Sequence, residues 1–373
     1  MDFALFYEIP VAPPWHDGDE YTAIHNYVEA VVLADKLGFH SVWNTEHHFL
    51  KELSISTAPE VLFGHIAART ENIKLGHGVR LLPHPYNNPI RAAEQAAMVD
   101  ILSKGRLLFG VGRSATRVEL EGFGINPHET RQMQAEALQT ILRAWTEDEV
   151  EFDGKYWKQP RRRVVPKPIQ RPHPPVWWAT TSDEGHISVG EMGLNLLSFT
   201  VGVEVDVLSG RIAGYREGLA RAKPITQVVE GRVGVFTLVH CGRTNEEARQ
   251  DAAGSFEWYV QSNGKFVNDL AEWLVELGQP AGTYQYIKDR SDAMQQGRTE
   301  DVVVGAGLSY DQLVDMGAVV AGGPDQCVEL AKKYEEAGCD LLLCLVQPHR
   351  IPHEKLMQSI ELIGREVIPA FKQ

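Results

Sequence analysis

The run Glu46-His47-His48-Phe49 sets a carboxylate and two imidazoles side by side in a polar stretch. Histidine titrates near neutral pH, so in an apolar setting it can orient a polar intermediate or act as general acid or base. Metal ligation suits this pair poorly. Adjacent strand residues point to opposite faces, and Glu46 does not complete a His-Glu-x-x-His zinc spacing. His349 and His353 stand four apart, but Pro352 interrupts them.

Two further segments can meet an anion. Gly110-Val111-Gly112-Arg113-Ser114-Ala115 fits the G-x-G-x-x-A dinucleotide fingerprint on paper. That fingerprint needs a helix opening at once and a second strand ending in an acid about 20 residues on. Here a loop and a helix with Met133, Ala137, Leu138, Ile141, Leu142 and Trp145 on one face fill the interval, so a nicotinamide site is rejected. What remains is a glycine-lined strand end, which means either a bulky ligand close to the backbone or tight packing. Arg113 beside it is either an anion-binding cation or a surface arginine. Ala179-Thr180-Thr181-Ser182-Asp183-Glu184 joins a strand to a helix start. Its hydroxyls are either plain N-caps or part of a phosphate site, because a helix N-terminus combines unpaired N–H donors with the positive dipole end. Phe6, Tyr7, Trp15, Trp43, Trp177 and Trp178 supply aromatic surface near strand ends, as core or as pocket. The sequence holds no G-x-S-x-G elbow, P-loop or Asp-rich calcium loop.

Short β-rich runs that alternate with helical periods must position these groups, the mark of βαβ units and a parallel sheet. Strands are expected at 2–7, 40–43, 73–82, 106–112, 176–179, 195–200, 230–240 and 340–346, with helices between them and a closing helix carrying Leu356, Ile360, Ile363 and Val367 on one face. Gly76 and Gly78 inside the third run hint at a bulge or a close backbone approach. Val150 to Gln159 reads as a hairpin around Asp153-Gly154 and Pro160 to Pro175 as an extended connection. Residues 263–320 show a weaker pattern with many glycines, which inside a compact domain marks a functional or mobile insertion. Eight βα units without a composition break predict one (β/α)8 TIM barrel over residues 1–373, with a lid insertion between the seventh and eighth units.

Composition bounds the partners. The 373 residues carry 36 Lys and Arg against 50 Asp and Glu, a net charge of -14 that disfavours nucleic acid and anionic membranes. An anionic ligand would need its own local cationic pocket. No apolar run reaches membrane-spanning length and no signal-like segment opens the chain, so a cytoplasmic location is expected. Cys241, Cys327, Cys339 and Cys344 form no CxxC pair and read as buried thiols.

Taken together, Gly38-Phe39-His40-Ser41-Val42-Trp43 leading into Glu46-His47-His48-Phe49, Ser103-Lys104-Gly105-Arg106 before Leu107 to Gly112 and Arg113, Pro174-Pro175-Val176, and Gly322-Gly323-Pro324-Asp325-Gln326-Cys327 resemble the bacterial luciferase-like flavin monooxygenases over nearly the whole chain. The resemblance implies a barrel that binds reduced FMN at its C-terminal mouth and adds oxygen to form a peroxyflavin, which oxygenates a small, mainly apolar substrate. It implies His47 as the catalytic histidine with Glu46 and His48 beside it. Gly78 and Val79 would border the flavin ring, where the family often has a non-proline cis peptide. Gly112 would stand where luciferase has a reactive cysteine, which counts against efficient light emission. Arg113 with Thr181, Ser182, Asp183 and Glu184 would hold the FMN phosphate, and residues 263–320 would be the lid. Phe6, Trp43, Phe49 and Trp178 are the candidate substrate-pocket residues. With no nicotinamide site, a separate NAD(P)H:flavin reductase is the expected partner, and the family is often dimeric. A deazaflavin-dependent dehydrogenase or reductase of the same superfamily, a non-catalytic flavin-binding homologue and a metal-dependent barrel hydrolase are the alternatives.

Overall fold

The structure, a computed structural model, describes residues 1–199, 203–278 and 307–372. Eight parallel strands form a closed ring: β1 (Asp2–Tyr7), β2 (Ser41–Asn44), β3 (Lys74–His77), β4 (Leu107–Gly112), β5 (Val176–Thr180), β6 (Asn195–Phe199), β7 (Val233–Cys241) and β8 (Leu341–Leu345). Each pairs with the next, and β1 closes on β8 with Asp2 opposite Leu341 and Phe6 opposite Leu345. The ring is a (β/α)8 TIM barrel. All five residues of β8 are buried, as expected of strands covered on both faces.

Helices α1 (Asp19–Leu37), α2 (Pro59–Ala67), α3 (Pro89–Leu102), α4 (Arg117–Gly122), α5 (Thr130–Thr146), α6 (Asp183–Glu191), α7 (Val205–Ala220), α8 (Asn245–Glu276), α9 (Tyr310–Asp315), α10 (Pro324–Glu336) and α11 (His353–Leu362) complete the described elements with three short turns of other helix types. Local chemistry sets their ends. Asn88 caps α3 by accepting from the Ile90 and Arg91 N–H groups, with Pro89 in the first turn. Gly38 ends α1 in the left-handed region at φ 80°.

The barrel interior is filled by side chains from non-adjacent strands. Trp43 of β2 meets Trp177 of β5 edge to face with ring centroids 5.3 Å apart, and both are fully buried. A Cβ on Gly76 would lie 2.3 Å from the Trp43 ring, so that strand glycine is explained by packing.

Three expectations change in detail. The third strand is not continuous over 73–82: it breaks at the cis peptide Gly78–Val79 and resumes as Arg80–Leu81, which pairs with β4. The interval after β4, read as a loop, contains α4. The insertion read as starting at Asn263 is helical to Glu276, because Leu270, Ala271 and Leu274 bury a stripe against Leu120 beside α4. Residues 307–322 hold α9 and a short strand, Val320–Gly322, that pairs in parallel with β7. The remainder of the predicted insertion, 279–306, lies outside the described residues, as does Thr200 of the predicted sixth strand.

Candidate active site

All eight strands send residues from their C-terminal ends into one cavity of about 260 Å³, where barrel folds place their sites. Phe6, Val79, Leu81, Trp178, Leu197, Phe199, Phe236 and Leu343 give it apolar walls. Glu8, Glu46, His47, Arg113, Arg131 and the 180–182 segment give it polar ones.

The β2 side is a cluster of buried charge. His47 Nδ1 lies 3.0 Å from Glu119 Oε1, which also accepts from the His48 N–H at 2.9 Å. Glu119 Oε2 accepts from Ser114 Oγ at 2.7 Å and Thr116 Oγ1 at 2.6 Å. A carboxylate only accepts, so Nδ1 carries a hydrogen and Nε2 is the nitrogen left on the cavity side. Burial alone would lower the His47 pKa, but Glu119, with Glu8 and Glu46 behind it, raises it to about 9. Burial would raise Glu119, yet His47 and the two hydroxyls hold it down at about 2. The pair is therefore imidazolium and carboxylate at neutral pH.

Glu46 has a different task. Its Oε2 accepts from the Leu81 N–H at 2.9 Å and its Oε1 from Asn87 Nδ2 at 2.8 Å, while Arg80 Nε lies 3.6 Å away. It thus clamps the backbone just past the cis Gly78–Val79 peptide, which lies against Phe6 and Trp43. Glu8 is the second buried acid at the mouth. Its Oε1 accepts from Tyr259 Oη at 3.0 Å, and burial raises its carboxyl to about 7 despite His47 and Tyr259, which pull it down.

The opposite wall is cationic and rich in hydroxyls. Arg113 Nη1 donates to Thr130 Oγ1 at 3.0 Å, one residue before Arg131, so both guanidinium groups belong to the same side of the mouth. Ser182 caps α6 by accepting from the Gly185 N–H at 3.2 Å. A Cβ at Gly185 would lie 1.9 Å from Thr180 Oγ1, so the helix start closes tightly under the 180–182 segment. His186 supports it from behind: Nδ1 donates to the Ser182 carbonyl at 2.7 Å and Nε2 accepts from Ser198 Oγ at 2.8 Å. Burial lowers His186 to about 4, which keeps it neutral in that role.

Of the residues singled out in the sequence, the cavity brings together Glu46, His47, Gly78, Val79, Gly112, Arg113, Thr181, Ser182, Phe6 and Trp178. It does not include five others. His48 turns away to stack on Tyr86 and Phe123 and lies 3.5 Å from Glu46. Trp43 belongs to the barrel core. Phe49, at φ 64° and 63% exposed, leaves the mouth to rest on Phe123. Asp183 is exposed and paired with Arg211 at 2.8 Å, and Glu184 is exposed. This is the electrostatic outcome an anion-facing wall requires. Gly112 lines the cavity, but a Cβ there would come within 2.3 Å of Val79 Cγ2.

Sequence reading missed Glu8, Glu119 and Arg131. Glu8 follows an all-apolar strand, a detectable signal. Glu119 is 72 positions from its partner and carries no motif. His349 and His353 are engaged elsewhere, the first stacked on Trp258 and 3.1 Å from Glu52, the second 3.0 Å from Glu29. Among the described residues no three His, Cys, Asp or Glu side chains group as metal ligands, and no helix is long and apolar enough to cross a membrane.

Comparisons with known proteins follow this geometry. Residues 1–341 match the sequence model of the luciferase-like monooxygenases. Limonene 1,2-monooxygenase of Rhodococcus erythropolis is 26% identical over 378 residues, covering 100% of this chain and 87% of that protein. Among solved structures, the oxygenating constituent of 3,6-diketocamphane monooxygenase from Pseudomonas putida, in complex with FMN, superposes with a TM-score of 0.75 at 22% identity, covering 99% and 98% of the two chains. The coenzyme F420-dependent tetrahydromethanopterin reductase of Methanopyrus kandleri gives 0.69 at 19%, covering 100% and 99%.

Proposed function

The chain belongs to the luciferase-like monooxygenase family, and on that premise we propose that it is the oxygenating component of a two-component system that takes reduced FMN from a separate NAD(P)H:flavin reductase. One observation carries this reading. A hydrogen-bonded His47–Glu119 ion pair and a cationic, hydroxyl-lined helix start line the same apolar cavity at the barrel mouth. The residues fit the group. A flat ring system is matched by Phe6, Val79, Trp178 and Leu197, and a phosphate by Arg113, Arg131 and the hydroxyls of Thr180, Thr181 and Ser182. Asp183 and Glu184 support that end only through the backbone of the helix start, since their carboxylates face solvent.

When bound, reduced FMN supplies the electrons that activate dioxygen. The protein's part is positional. His47, held by Glu119, presents Nε2–H as a fixed donor toward the reacting oxygen and holds the proton there. The apolar walls exclude water that would divert the reaction to peroxide. Glu46 keeps the 78–81 backbone in register beneath the ring site. The candidate lid, residues 263–320, would complete that exclusion.

The test supplies reduced FMN in situ and screens aldehydes, cyclic ketones, terpenes and sulfonates, recording oxygen uptake, peroxide and oxygenated product. Wild type is expected to oxygenate a member of the panel. His47→Asn should cut product formation by about 10²–10⁴-fold while oxygen uptake continues and ends as peroxide. The fold likeness to an F420-dependent reductase sustains a second reading, hydride transfer with a deazaflavin. Tight F420 binding without FMN binding would select it.

A further inference from the structure

Glu8 stands immediately after β1, is only 4% exposed and lines the cavity. Its two oxygens are not equivalent. Oε1 accepts from Tyr259 Oη, and the backbone carbonyl accepts from Ser54 Oγ, but buried Oε2 meets no hydrogen-bond partner in the protein. A buried polar atom left unmet costs about 1–3 kcal/mol, and folded proteins seldom tolerate it without a use. Glu46 and Glu119 show the contrast within the same mouth, with both oxygens of each engaged. Apolar Phe6 and Phe236 flank the cavity near β1 and β7, so nothing there substitutes for water.

We infer that Glu8 Oε2 is a substrate-contacting group that donates a hydrogen bond to a carbonyl oxygen, and that the enzyme's substrates are therefore apolar molecules bearing an aldehyde or ketone. The neutral carboxyl that this requires is consistent with its surroundings. Burial raises Glu8, and the groups facing it are His47 from the loop after β2, Glu119 from α4 and Tyr259 from α8, the first two of opposite charge. Tyr259 donates to Oε1, which leaves Oε2 to carry the proton outward. The inference rests on the monooxygenase reading for its substrate language but is tested by binding alone.

The experiment measures affinities of matched isosteres by ligand-observed NMR titration, with and without FMN: cyclohexanone against methylenecyclohexane, and heptanal against 1-octene. A single neutral hydrogen bond of about 1 kcal/mol predicts a roughly fivefold preference for each carbonyl. Glu8→Leu should reduce that preference to within about twofold by the same arithmetic. Glu8→Gln, which keeps a donor and guards against a misfolded variant, should retain it. Between about pH 6 and about pH 8.5 the preference should fall in wild type and stay constant in Glu8→Gln. Equal binding within pairs, no carbonyl binding at all, or an unchanged preference in Glu8→Leu overturns the inference. Loss of FMN binding in Glu8→Leu with the isostere preference intact would also overturn it, making Glu8 a cofactor contact. If FMN fails to bind wild type while the carbonyl preference stands, the flavin reading fails and this one survives.

Discussion

The wall built by the loops after β2 and β4 carries charges already paired with each other, whereas the wall built by β5 and the start of α6 presents hydroxyls, N–H groups and guanidinium side chains with its own acids turned to solvent. On the first wall Glu119 gathers four donors around one buried carboxylate. On the second, Asp183 is drawn off by Arg211. The difference teaches how one cavity can perform two tasks. A pair that neutralises itself can fix a protonation state without attracting a counter-ion, while a wall whose acids point away favours an anion even in a chain of net charge -14.

Breaking the first wall should give the largest effect. Glu119→Ala leaves the His47 imidazolium, the His48 N–H and two hydroxyls without their acceptor, so a loss of about 3–5 kcal/mol is expected in urea unfolding. pH sharpens the point. The His47 pKa is raised in the folded state, so its contribution is full below the usual 6.5 and disappears as pH climbs through about 9. Wild-type stability should therefore fall across that window, and Glu119→Gln should flatten the fall.

The second wall is tested by affinity. Arg113→Ala should weaken FMN by about 1.5–3 kcal/mol, roughly ten- to 150-fold, while riboflavin, which lacks the phosphate, should lose little. Equal losses for both ligands in fluorescence titrations would remove the phosphate assignment. Gly112→Ala pushes a Cβ against Val79 and should cost about 1–3 kcal/mol in thermal unfolding. The smallest change is expected from Ser182→Ala, about 1 kcal/mol for a lost N-cap, with a modest rise in the FMN dissociation constant.

How much of this was legible in the sequence depends on the range of the interaction. Alternating β and α periods disclosed all eight strands because each is a local apolar run, and the pocket glycines and Arg113 stood in or beside such runs. Directions that tertiary packing decides were not legible. Trp43 and Phe49 flank the catalytic loop, yet one enters the barrel interior and the other leaves the mouth at a left-handed backbone. The run at 73–82 looks continuous because a peptide's isomer leaves no trace in hydrophobicity. Glu119 acquires its role only when α4 folds back over the β2 loop. The second half of α8 was obscured by polar residues, although Val267, Leu270, Ala271 and Leu274 keep helical spacing.

The seam where β1 lies between β2 and β8 has a consequence for how the molecule is made. The first residues to leave the ribosome wait for a strand encoded at the far end of the message, so an open, edge-exposed sheet persists through most of translation. Completion of the ring is thus a late, long-range event. Slowing elongation over the final hundred or so codons would prolong the interval in which β1 can pair with another chain.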